Sequence, residues 1–480
     1  MIQHLKHYPA YKDSGVPWLG EVPEHWEVLP GRTVFREIND RGHPDEQMLS
    51  VTITRGVLRQ ADLLADSSKK DSSNEDKSNY KLVQPGDLVY NKMRAWQGAV
   101  GVSAYRGIVS PAYIVQRLRN AENLPRYMHF LLRTPLFAME AERWSYGITS
   151  DQWSLRAEEF KGIYFSLPPL PEQTAIVRFL DYMDRRIRRS IRAKQKLIKL
   201  LEEYRQALIH QAVTGQIDVR TGKPYPAYKD SGVPWLGHVP QHWEVVKLKF
   251  ISKRMQNGST PPTDVGEYYA DQGIPWYGPS SLLEEILIGL PVRFVTERAI
   301  LDNKVRVIQP PALVISVIGN VGKSALMLEQ GATNQQLTCC ELDQKICNPV
   351  FVVNQFRMAE HYLVASASST TIAILDSEVL RNMPLAIPPL PEQTAIVEYL
   401  DAQTAKLDAA IAAARREIEL LREYRERLIA DVVTGKVDVR QVAAQLPEEP
   451  AEEEAGTEEE EPVADELATV DSQEESNGEE

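Results

Sequence analysis

One tripeptide in the sequence has the chemistry of a phosphate-binding loop. Gly322-Lys323-Ser324 matches the end of the pattern in which backbone N–H groups and a lysine hold nucleotide phosphates. That pattern also needs a glycine five residues before Gly322, and Val317 stands at this position. The sequence therefore fails as a nucleotide site. We interpret the segment as a tight turn that presents Asn320 and Lys323 to a phosphate or a base.

A second short motif has the chemistry of adenine binding. Ser110-Pro111-Ala112-Tyr113 is similar to the Asp/Asn-Pro-Pro-Tyr loop with which amino-methyltransferases hold an adenine. The second proline is absent, and no glycine-rich cofactor turn precedes the motif, so we interpret it as a structural turn. No metal-ligand constellation and no Ser-His-Asp arrangement stands out in the sequence. We therefore predict no catalytic residue and no metal site.

Basic and amide side chains near predicted turns are better candidates, and their chemistry suits DNA. Arginine and lysine bind guanine, asparagine and glutamine bind adenine, and any of these donors can bind a phosphate. A solvated surface role is the alternative for each of them. The candidates are Arg55, Lys92, Arg94 and Gln97 in the first half of the chain, and Asn257, Thr260, Asn320, Lys323 and Asn334 in the second half.

The elements that position these residues come as a duplicated frame. Residues 8–28 and 225–245 differ at two positions, and each segment is rich in Tyr, Trp and Pro. Residues 167–181, LPPLPEQTAIVRFLD, recur as IPPLPEQTAIVEYLD at 387–401. We call the first repeat the cap and the second the PEQ box. The cap tryptophans either seal a domain edge, which we favour, or stack on bases.

Behind each PEQ box, apolar residues follow heptad spacing to a Val-Thr-Gly sequence at 213–215 and 433–435. This pattern predicts two helices that pair as a coiled coil and also contact partners. Two solvated surface helices are the alternative. Residues 172–212 carry a net charge of +5 and residues 392–432 carry −3, which favours pairing. The predicted contact residues are Leu180, Ile187, Leu197, Leu201, Tyr204, Leu400, Leu407, Leu421 and Tyr424.

The direction of this pairing follows from chain length. The link from Val213 to the second cap is short, whereas a helix of this length spans about 60 Å. We therefore predict an antiparallel pair with one variable module at each end. Arginines within 185–192 bind either DNA phosphates or acids of a helix or partner, and we favour the latter.

The two inserts between cap and PEQ box, residues 29–166 and 246–386, show little similarity to each other. Both have β-rich runs broken by turns, followed by helical segments, so each predicts a mixed α/β module of shared topology. Residues 441–480 carry a charge of −16 and predict a disordered acidic tail, which leaves +3 on the rest of the chain. Cys339, Cys340 and Cys347 have neither CxxC nor zinc spacing, so we expect reduced thiols in a cytoplasmic protein.

The doubled cap, the doubled PEQ box and the two variable inserts together resemble the specificity subunit of type I restriction-modification systems. The resemblance extends from Tyr8 to Arg440. Within it, Tyr80 to Tyr113 resembles one known type of target-recognition domain. Gly258 to Pro262, with GIPW (273–276) and GNVGK (319–323), resembles another. The acidic tail is not part of the family pattern.

The resemblance implies an α+β fold in which two target-recognition domains lie at opposite ends of an antiparallel coiled coil, as a pseudo-two-fold tandem repeat. Each domain would bind one half of a bipartite, asymmetric DNA site. Two methyltransferase subunits and restriction-translocase subunits would bind the same chain. It would have no cofactor of its own, with S-adenosylmethionine and ATP on the partners.

The sequence divides into five segments. We predict a first recognition domain with its cap (1–166), a first spacer helix (167–220), a second recognition domain with its cap (221–386), a second spacer helix (387–440) and the tail (441–480). Two other hypotheses stay open. One is a self-contained DNA adenine methyltransferase, against which the missing cofactor motifs argue, and the other is a coiled-coil scaffold that does not bind DNA.

Overall fold

The computed structural model describes residues 5–65, 76–147, 153–368 and 373–447. The chain divides into two compact units. Unit 1 combines residues 1–194 with 416–480, and unit 2 contains residues 195–415. Each predicted spacer helix is therefore split between the units. Within the described ranges, no helix is both long enough and apolar enough to cross a membrane.

The first part of the chain ends in a long helix. Its elements are β1 (Tyr11–Asp13), β2 (Glu21–Pro23), β3 (Glu27–Pro30), α1 (Gly31–Val34), β4 (Phe35–Ile38), β5 (Leu49–Thr52), β6 (Gly56–Arg59), α2 (Gln60–Ala65), β7 (Lys81–Val83), β8 (Leu88–Asn91), β9 (Val100–Val102), β10 (Gly107–Val109), β11 (Tyr113–Leu118), α3 (Pro125–Leu132), α4 (Pro135–Arg143), α5 (Ala157–Gly162), β12 (Tyr164–Leu167) and α6 (Leu170–Val213).

The second part ends in a second long helix and a short one. Its elements are β13 (Tyr228–Asp230), β14 (His238–Pro240), β15 (Glu244–Lys247), α7 (Leu248–Ile251), β16 (Ser252–Asn257), β17 (Tyr269–Ala270), β18 (Ile274–Tyr277), β19 (Arg293–Val295), α8 (Glu297–Leu301), β20 (Ala312–Ser316), β21 (Ser324–Met327), β22 (Ala332–Thr333), β23 (Leu337–Leu342), α9 (Pro349–Met358), α10 (Glu360–Ser366), α11 (Ser377–Arg381), β24 (Pro384–Ile387), α12 (Leu390–Val433) and α13 (Arg440–Gln445).

The two variable modules have the same central sheet. Its strand order is β4-β11-β8-β9 in the first module and β16-β23-β20-β21 in the second, and all neighbours are antiparallel. Strands β8 and β20 occupy the same position in the two sheets, and each is mostly a run of apolar residues. Such runs are typical of strands buried on both faces. The prediction of mixed α/β modules with a shared topology is confirmed. The second module adds a separate sheet, β17-β19-β18-β22.

The long helices pair in an antiparallel manner within each unit. In unit 1, Asp184 of α6 binds Arg425 of α12 at 2.5 Å, and Lys194 binds Glu417, so the α12 partner numbers fall as the α6 numbers rise. In unit 2, the side chain of Arg415 binds that of Glu202 at 3.0 Å, and Arg205 binds Asp408 at 3.4 Å. The predicted coiled-coil pairing and its direction are confirmed.

The predicted apolar seam is correct in part. Leu180, Ile187 and Leu400 are buried, and Leu201, Leu407, Leu421 and Tyr424 are partly buried. Leu197 and Tyr204 lie outside the buried seam, because their exposed fractions are 46% and 58%, and their contact with a partner stays a prediction. This stretch of α6 is apolar on two faces, so the sequence pattern fitted the wrong face. Ile411, Ala414 and Ile418 are buried instead.

A buried carboxylate fixes the first cap to the start of α6. Glu172, the glutamate of the first PEQ box, is 5% exposed. It accepts hydrogen bonds from Tyr8 Oη at 2.5 Å and Trp26 Nε1 at 2.9 Å, and it contacts His25 Nε2 at 2.8 Å. Arg440 lies 3.8 Å away, from the segment that follows α12. The interpretation that the cap aromatics seal a domain edge is confirmed for Trp26, which is fully buried.

The second cap repeats the same cluster around Glu392. Tyr225, Trp243 and His242 contact its carboxylate at 2.5, 3.1 and 2.9 Å, and Arg220 lies at 3.6 Å. Burial raises the pKa of Glu392, but the three hydrogen bonds lower it by more, so its pKa lies below the ordinary value for glutamate. The carboxylate is thus held in its ionised form.

The glutamine of each PEQ box binds the variable module. Gln173 Oε1 accepts the N–H of Leu124 at 2.8 Å, just before α3, and Gln393 Oε1 accepts the N–H of Asn348 at 2.7 Å, just before α9. Each glutamine also donates to the carbonyl of Pro168 or Pro388 at 2.8 Å. One Glu-Gln pair therefore connects the cap, the long helix and the module.

The predicted start of the acidic tail needs a correction. Residues 441–447, assigned to the tail, include most of α13, and Ala443 and Leu446 are buried in the unit 1 core. The carbonyl of Leu446 accepts a hydrogen bond from Arg178 at 2.6 Å. Burial of these apolar side chains stabilises the segment. The rest of the predicted tail, 448–480, lies outside the described residues.

Two glycines after the long helices determine how closely the caps approach. Gly435 has φ = 78°, and a Cβ there would lie 2.3 Å from Pro23 Cδ. Gly215 has φ = 75° and would bring a Cβ to 2.4 Å from Pro240 Cδ. Both the left-handed backbone and the close contact exclude any larger residue without local rearrangement.

We expect Gly435→Ala to destabilise unit 1 by more than Gly15→Ala. Both changes place a side chain in the left-handed region, at a cost of roughly 1–2 kcal/mol. Only Gly435→Ala also adds a steric overlap, since a Cβ at Gly15 would meet nothing within 4 Å. Overpacking of this kind costs about 1–3 kcal/mol more. Thermal unfolding of the two variants measures the difference, and equal Tm values would contradict the packing role.

Candidate nucleic-acid interface

Three predicted residues of the first module lie in one loop. Lys92, Arg94 and Gln97 follow β8, in a turn that returns to β9 through Gly98 at φ = 94°. The N–H of Lys92 donates to the carbonyl of Ala112 at 3.3 Å, which fixes the start of the loop against the loop before β11. Gln97 is exposed, and Lys92 and Arg94 are half-buried. We call this end of the central sheet, where β8 ends and β11 begins, its loop end.

Arg55 lies at the same end. It belongs to the turn between β5 and β6, and the side chain of Arg133 connects this turn to the sheet. Arg133 donates to the carbonyls of Ile53 at 2.9 Å and Thr54 at 2.5 Å, and also to that of Val100 at 2.8 Å in β9. The structure therefore brings all four predicted residues of this module to its loop end.

The second module places Asn320 and Lys323 in the equivalent loop, between β20 and β21. Both side chains are exposed. Gly319 and Gly322 have φ values of 81° and 92°, so the loop is a tight turn between two strands rather than the strand-to-helix loop of a nucleotide site. A Cβ at Gly322 would lie 3.1 Å from the Glu360 side chain, which shows how closely the turn packs against α10.

The remaining predicted residues of the second module flank the same sheet end. Asn257 ends β16, and its Oδ1 accepts a hydrogen bond from Thr338 Oγ1 at 2.7 Å. Thr260 donates to the Gln335 side chain, and Asn334 donates to the Gln336 side chain at 3.0 Å. These side chains are already hydrogen-bonded within the module. Gln335 and Gln336 were not among the predicted residues, although Asn-Gln-Gln at 334–336 is a run of three amides in the sequence.

The adenine-binding interpretation of Ser110-Pro111-Ala112-Tyr113 does not fit the local geometry. The Tyr113 N–H donates to the Ser110 carbonyl at 3.0 Å, and Ser110 Oγ accepts the N–H of Ala112 at 3.3 Å. The motif is thus a closed turn that leads into β11, as the structural interpretation predicted. Cys339, Cys340 and Cys347 are free thiols, and all three are buried.

The central arginines contact neighbouring helix residues where the structure describes their bonds. Arg188 binds Asp184 at 2.8 Å, and Asp184 also binds Arg425. Arg186 donates to Tyr182 Oη at 2.8 Å. These contacts support the interpretation that the cluster serves helix packing.

Comparison with known proteins gives a consistent result. The sequence model described as "Type I restriction modification DNA specificity domain" matches residues 30–200 and again 240–420. The chain belongs to this family. It is therefore a specificity subunit of the type I restriction-modification class, and its two matched regions each contain one module followed by the start of a long helix.

Individual relatives agree with this assignment. The type I restriction enzyme MjaX specificity subunit of Methanocaldococcus jannaschii is 23% identical over 88% of this chain and 96% of its own length. The EcoR124I/EcoR124II specificity subunit of Escherichia coli is 23% identical over 50% of this chain and 58% of its own length.

Solved structures show the same fold. A chain from structural work on complex assembly and conformational transition of the type I R-M system has a TM-score of 0.65 at 17% identity, covering 86% of this chain and 98% of that one. The HsdS subunit of Thermoanaerobacter tengcongensis has a TM-score of 0.52 at 17% identity, with the same coverage.

We expect Lys323→Ala to weaken DNA binding by the assembled complex. The lysine is exposed at the loop end, and loss of a base-contacting side chain costs about 1–3 kcal/mol of binding free energy. Lys345→Ala is the matched control, because this exposed lysine follows the opposite end of β23. Fluorescence anisotropy with duplex DNA measures both variants. Equal affinities would remove Lys323 from the interface.

Proposed function

We propose that the two modules bind the two halves of a bipartite, asymmetric DNA site through their loop ends. The observation that carries this proposal is the shared central sheet, whose equivalent loops hold different donors: Arg94 and Gln97 in one module, Asn320 and Lys323 in the other. Different side chains on one scaffold favour different bases. The nine predicted contact residues all lie at these two loop ends.

In this proposal the chain supplies specificity and no chemistry. Partner methyltransferase subunits would bind S-adenosylmethionine and methylate adenine, and partner restriction-translocase subunits would use ATP, all in the cytoplasm. The closed turn at Ser110–Tyr113 supports this division of labour, because it leaves the adenine-methyltransferase hypothesis without its characteristic loop. Methyl transfer from S-adenosylmethionine to DNA by the isolated chain would refute it. Mapping methylated sites after co-expression with the methyltransferase partner tests the main proposal.

Two copies of the methyltransferase subunit would bind the frame, one at each repeat. Leu200 of α6 and Leu420 of α12 occupy equivalent positions of the repeat, and each is 52% exposed. Leu170 and Leu390 are a second equivalent pair, exposed by 38% and 36%. Buried positions carry the same residue in both repeats because their packing is the same. Exposed leucines that are the same in both repeats have no such reason, and they indicate contact with a partner protein. Since the pairs are duplicated, each unit would offer one docking surface to the same kind of subunit.

The long helices would set the distance between the half-sites. Each is a single helix of 44 residues, and residues of both units contribute to each of them. Two modules on one chain give the second half-site a high effective concentration once the first is bound. The length of the non-specific spacer between the half-sequences would then depend on helix length. The half-sequences themselves would depend on the modules.

Adding one heptad to each helix, after Ser190 and after Ala410, should lengthen the spacer. Seven helical residues add about 10 Å, which corresponds to roughly three base pairs of duplex DNA. The heptad register is kept, so packing should survive. Genome-wide mapping of methylated adenines is the readout, and unchanged half-sequences are expected. Altered half-sequences with an unaltered spacer would refute the ruler role.

Leu200→Asp should remove one methyltransferase subunit from the complex, and Leu200→Asp with Leu420→Asp should remove both. A buried carboxylate at a docking surface is strongly unfavourable. Leu301→Asp is the control, because this leucine is 77% exposed on α8 of the second module and not on a long helix. Native mass spectrometry of co-expressed complexes counts the subunits. If both Asp variants retain two subunits, these leucines are not at the interface.

A further inference from the structure

A buried lysine lies at the loop end of the first module and was not among the predicted contacts. Lys81 begins β7 and is 5% exposed. Its ammonium donates to the carbonyl of Tyr113 at 2.7 Å, directly behind the turn formed by Ser110–Tyr113. Among the described residues, this carbonyl is the hydrogen-bond acceptor of the ammonium, which has two further donors.

Two basic residues belong to segments that border Lys81. Arg41 is bridged to Lys81 through the backbone, and Lys92 starts the adjoining loop. Burial lowers the pKa of Lys81, and the positive charges of Arg41 and Lys92 lower it further, while Glu37 opposes them. Glu37 and Arg41 are exposed, and Arg41 Nε donates to Asn39 Oδ1 at 2.9 Å. A buried ammonium beside two cations is electrostatically costly unless an anion joins it.

We propose that Lys81, Lys92 and Arg41 form a binding site for one phosphate of the DNA backbone. The cluster lies at the same sheet end as Arg94 and Arg55, so a duplex at the loop end brings phosphates to it. A phosphate oxygen takes the free donors of Lys81, and its charge offsets the repulsion between the three cations. This contact fixes the register of the duplex on the module and carries no base preference.

The inference rests on the proposed DNA-binding function, and it adds residues to it. A purely structural lysine is the competing explanation, since the bond to the Tyr113 carbonyl also holds the turn before β11. The two roles differ in what the charge does. A phosphate contact releases counterions from the DNA, so its removal lowers the salt dependence of binding. A structural lysine has no such effect.

The test uses the full chain co-expressed with its methyltransferase partner and a mixed-sequence DNA duplex. Affinity is measured by anisotropy over a series of salt concentrations. Lys81→Met is expected to reduce the slope of log affinity against log salt by at most about 0.9, the value for one phosphate. Lys92→Met should also reduce it, and the double variant should lose no more than the same ~0.9, because both side chains share one phosphate. Lys81→Arg should keep the wild-type slope. Lys161→Met is the control, because Lys161 lies on α5, beside the opposite end of the sheet, where Gly31 binds Ile163.

Thermal unfolding separates folding from binding. Lys81→Met should keep or raise the Tm, because it removes a buried charge and retains the apolar stem. If Lys81→Met and Lys92→Met leave the salt slope of DNA binding unchanged, the phosphate site is refuted. It is also refuted if Lys81→Arg lowers this slope as much as Lys81→Met does. Inorganic phosphate, compared with chloride at equal ionic strength, is the second arm. If inorganic phosphate stabilises the wild type and not Lys81→Met, while both proteins have the same salt slope of DNA binding, the site binds free phosphate and the assignment to DNA fails.

The outcomes also distinguish this inference from the proposed function. If methylation mapping yields a bipartite site but the Lys81→Met slope is unchanged, the phosphate site fails alone. If the slope falls as expected but methylation shows no sequence preference, the phosphate site stands and the specificity function fails.

Discussion

The fold depends on surrounding one buried carboxylate with hydrogen-bond donors in each repeat. Glu172 and Glu392 lie in the first turns of the long helices, where the helix dipole favours negative charge. A buried carboxylate is costly unless donors surround it, and here a tyrosine, a tryptophan, a histidine and a more distant arginine do so. These donors come from the cap and from the segment after a long helix. The cap, the helix start and that segment must therefore assemble together.

The polar bonds between frame and module can be made by different side chains, which allows the modules to diverge. In unit 1, the single O–H of Tyr127 on α3 is shared between the carbonyls of Ser166 and Val433, with Oη at 3.0 and 3.1 Å from their oxygens. In unit 2, Gln355 of α9 donates to the carbonyls of Ala386 and Val213 at 2.8 and 2.7 Å. A phenol and an amide thus make the same two bonds. The side chains of the loop ends take no part in them, and they are free to differ.

Much of the architecture was predictable because the repeated sequence segments mark its main elements. Two copies of a helix-starting box followed by heptads predict two long helices, and the short link predicts their direction. The position of Leu197 and Tyr204 outside the buried seam was not predictable, since apolar residues cover two faces of α6 and spacing alone does not choose between them. Helix α13 was not predicted because its apolar residues border an acidic stretch. Lys81 escaped because its burial depends on strands that are distant in sequence.

The origin of the segment that completes the first cap has a consequence for synthesis. Arg440 and the end of α12 belong to unit 1, so this unit contains residues that leave the ribosome after the whole of unit 2. At 5–20 residues per second, translating residues 195–415 takes roughly 10 to 45 s. During that interval, Glu172 lacks Arg440, and Leu180 lacks the α12 side chains, including Leu428, that complete its core. The nascent unit 1 is therefore incomplete until the end of α12 and the segment after it have been synthesised. Unit 2 is thus the first unit whose residues are all present.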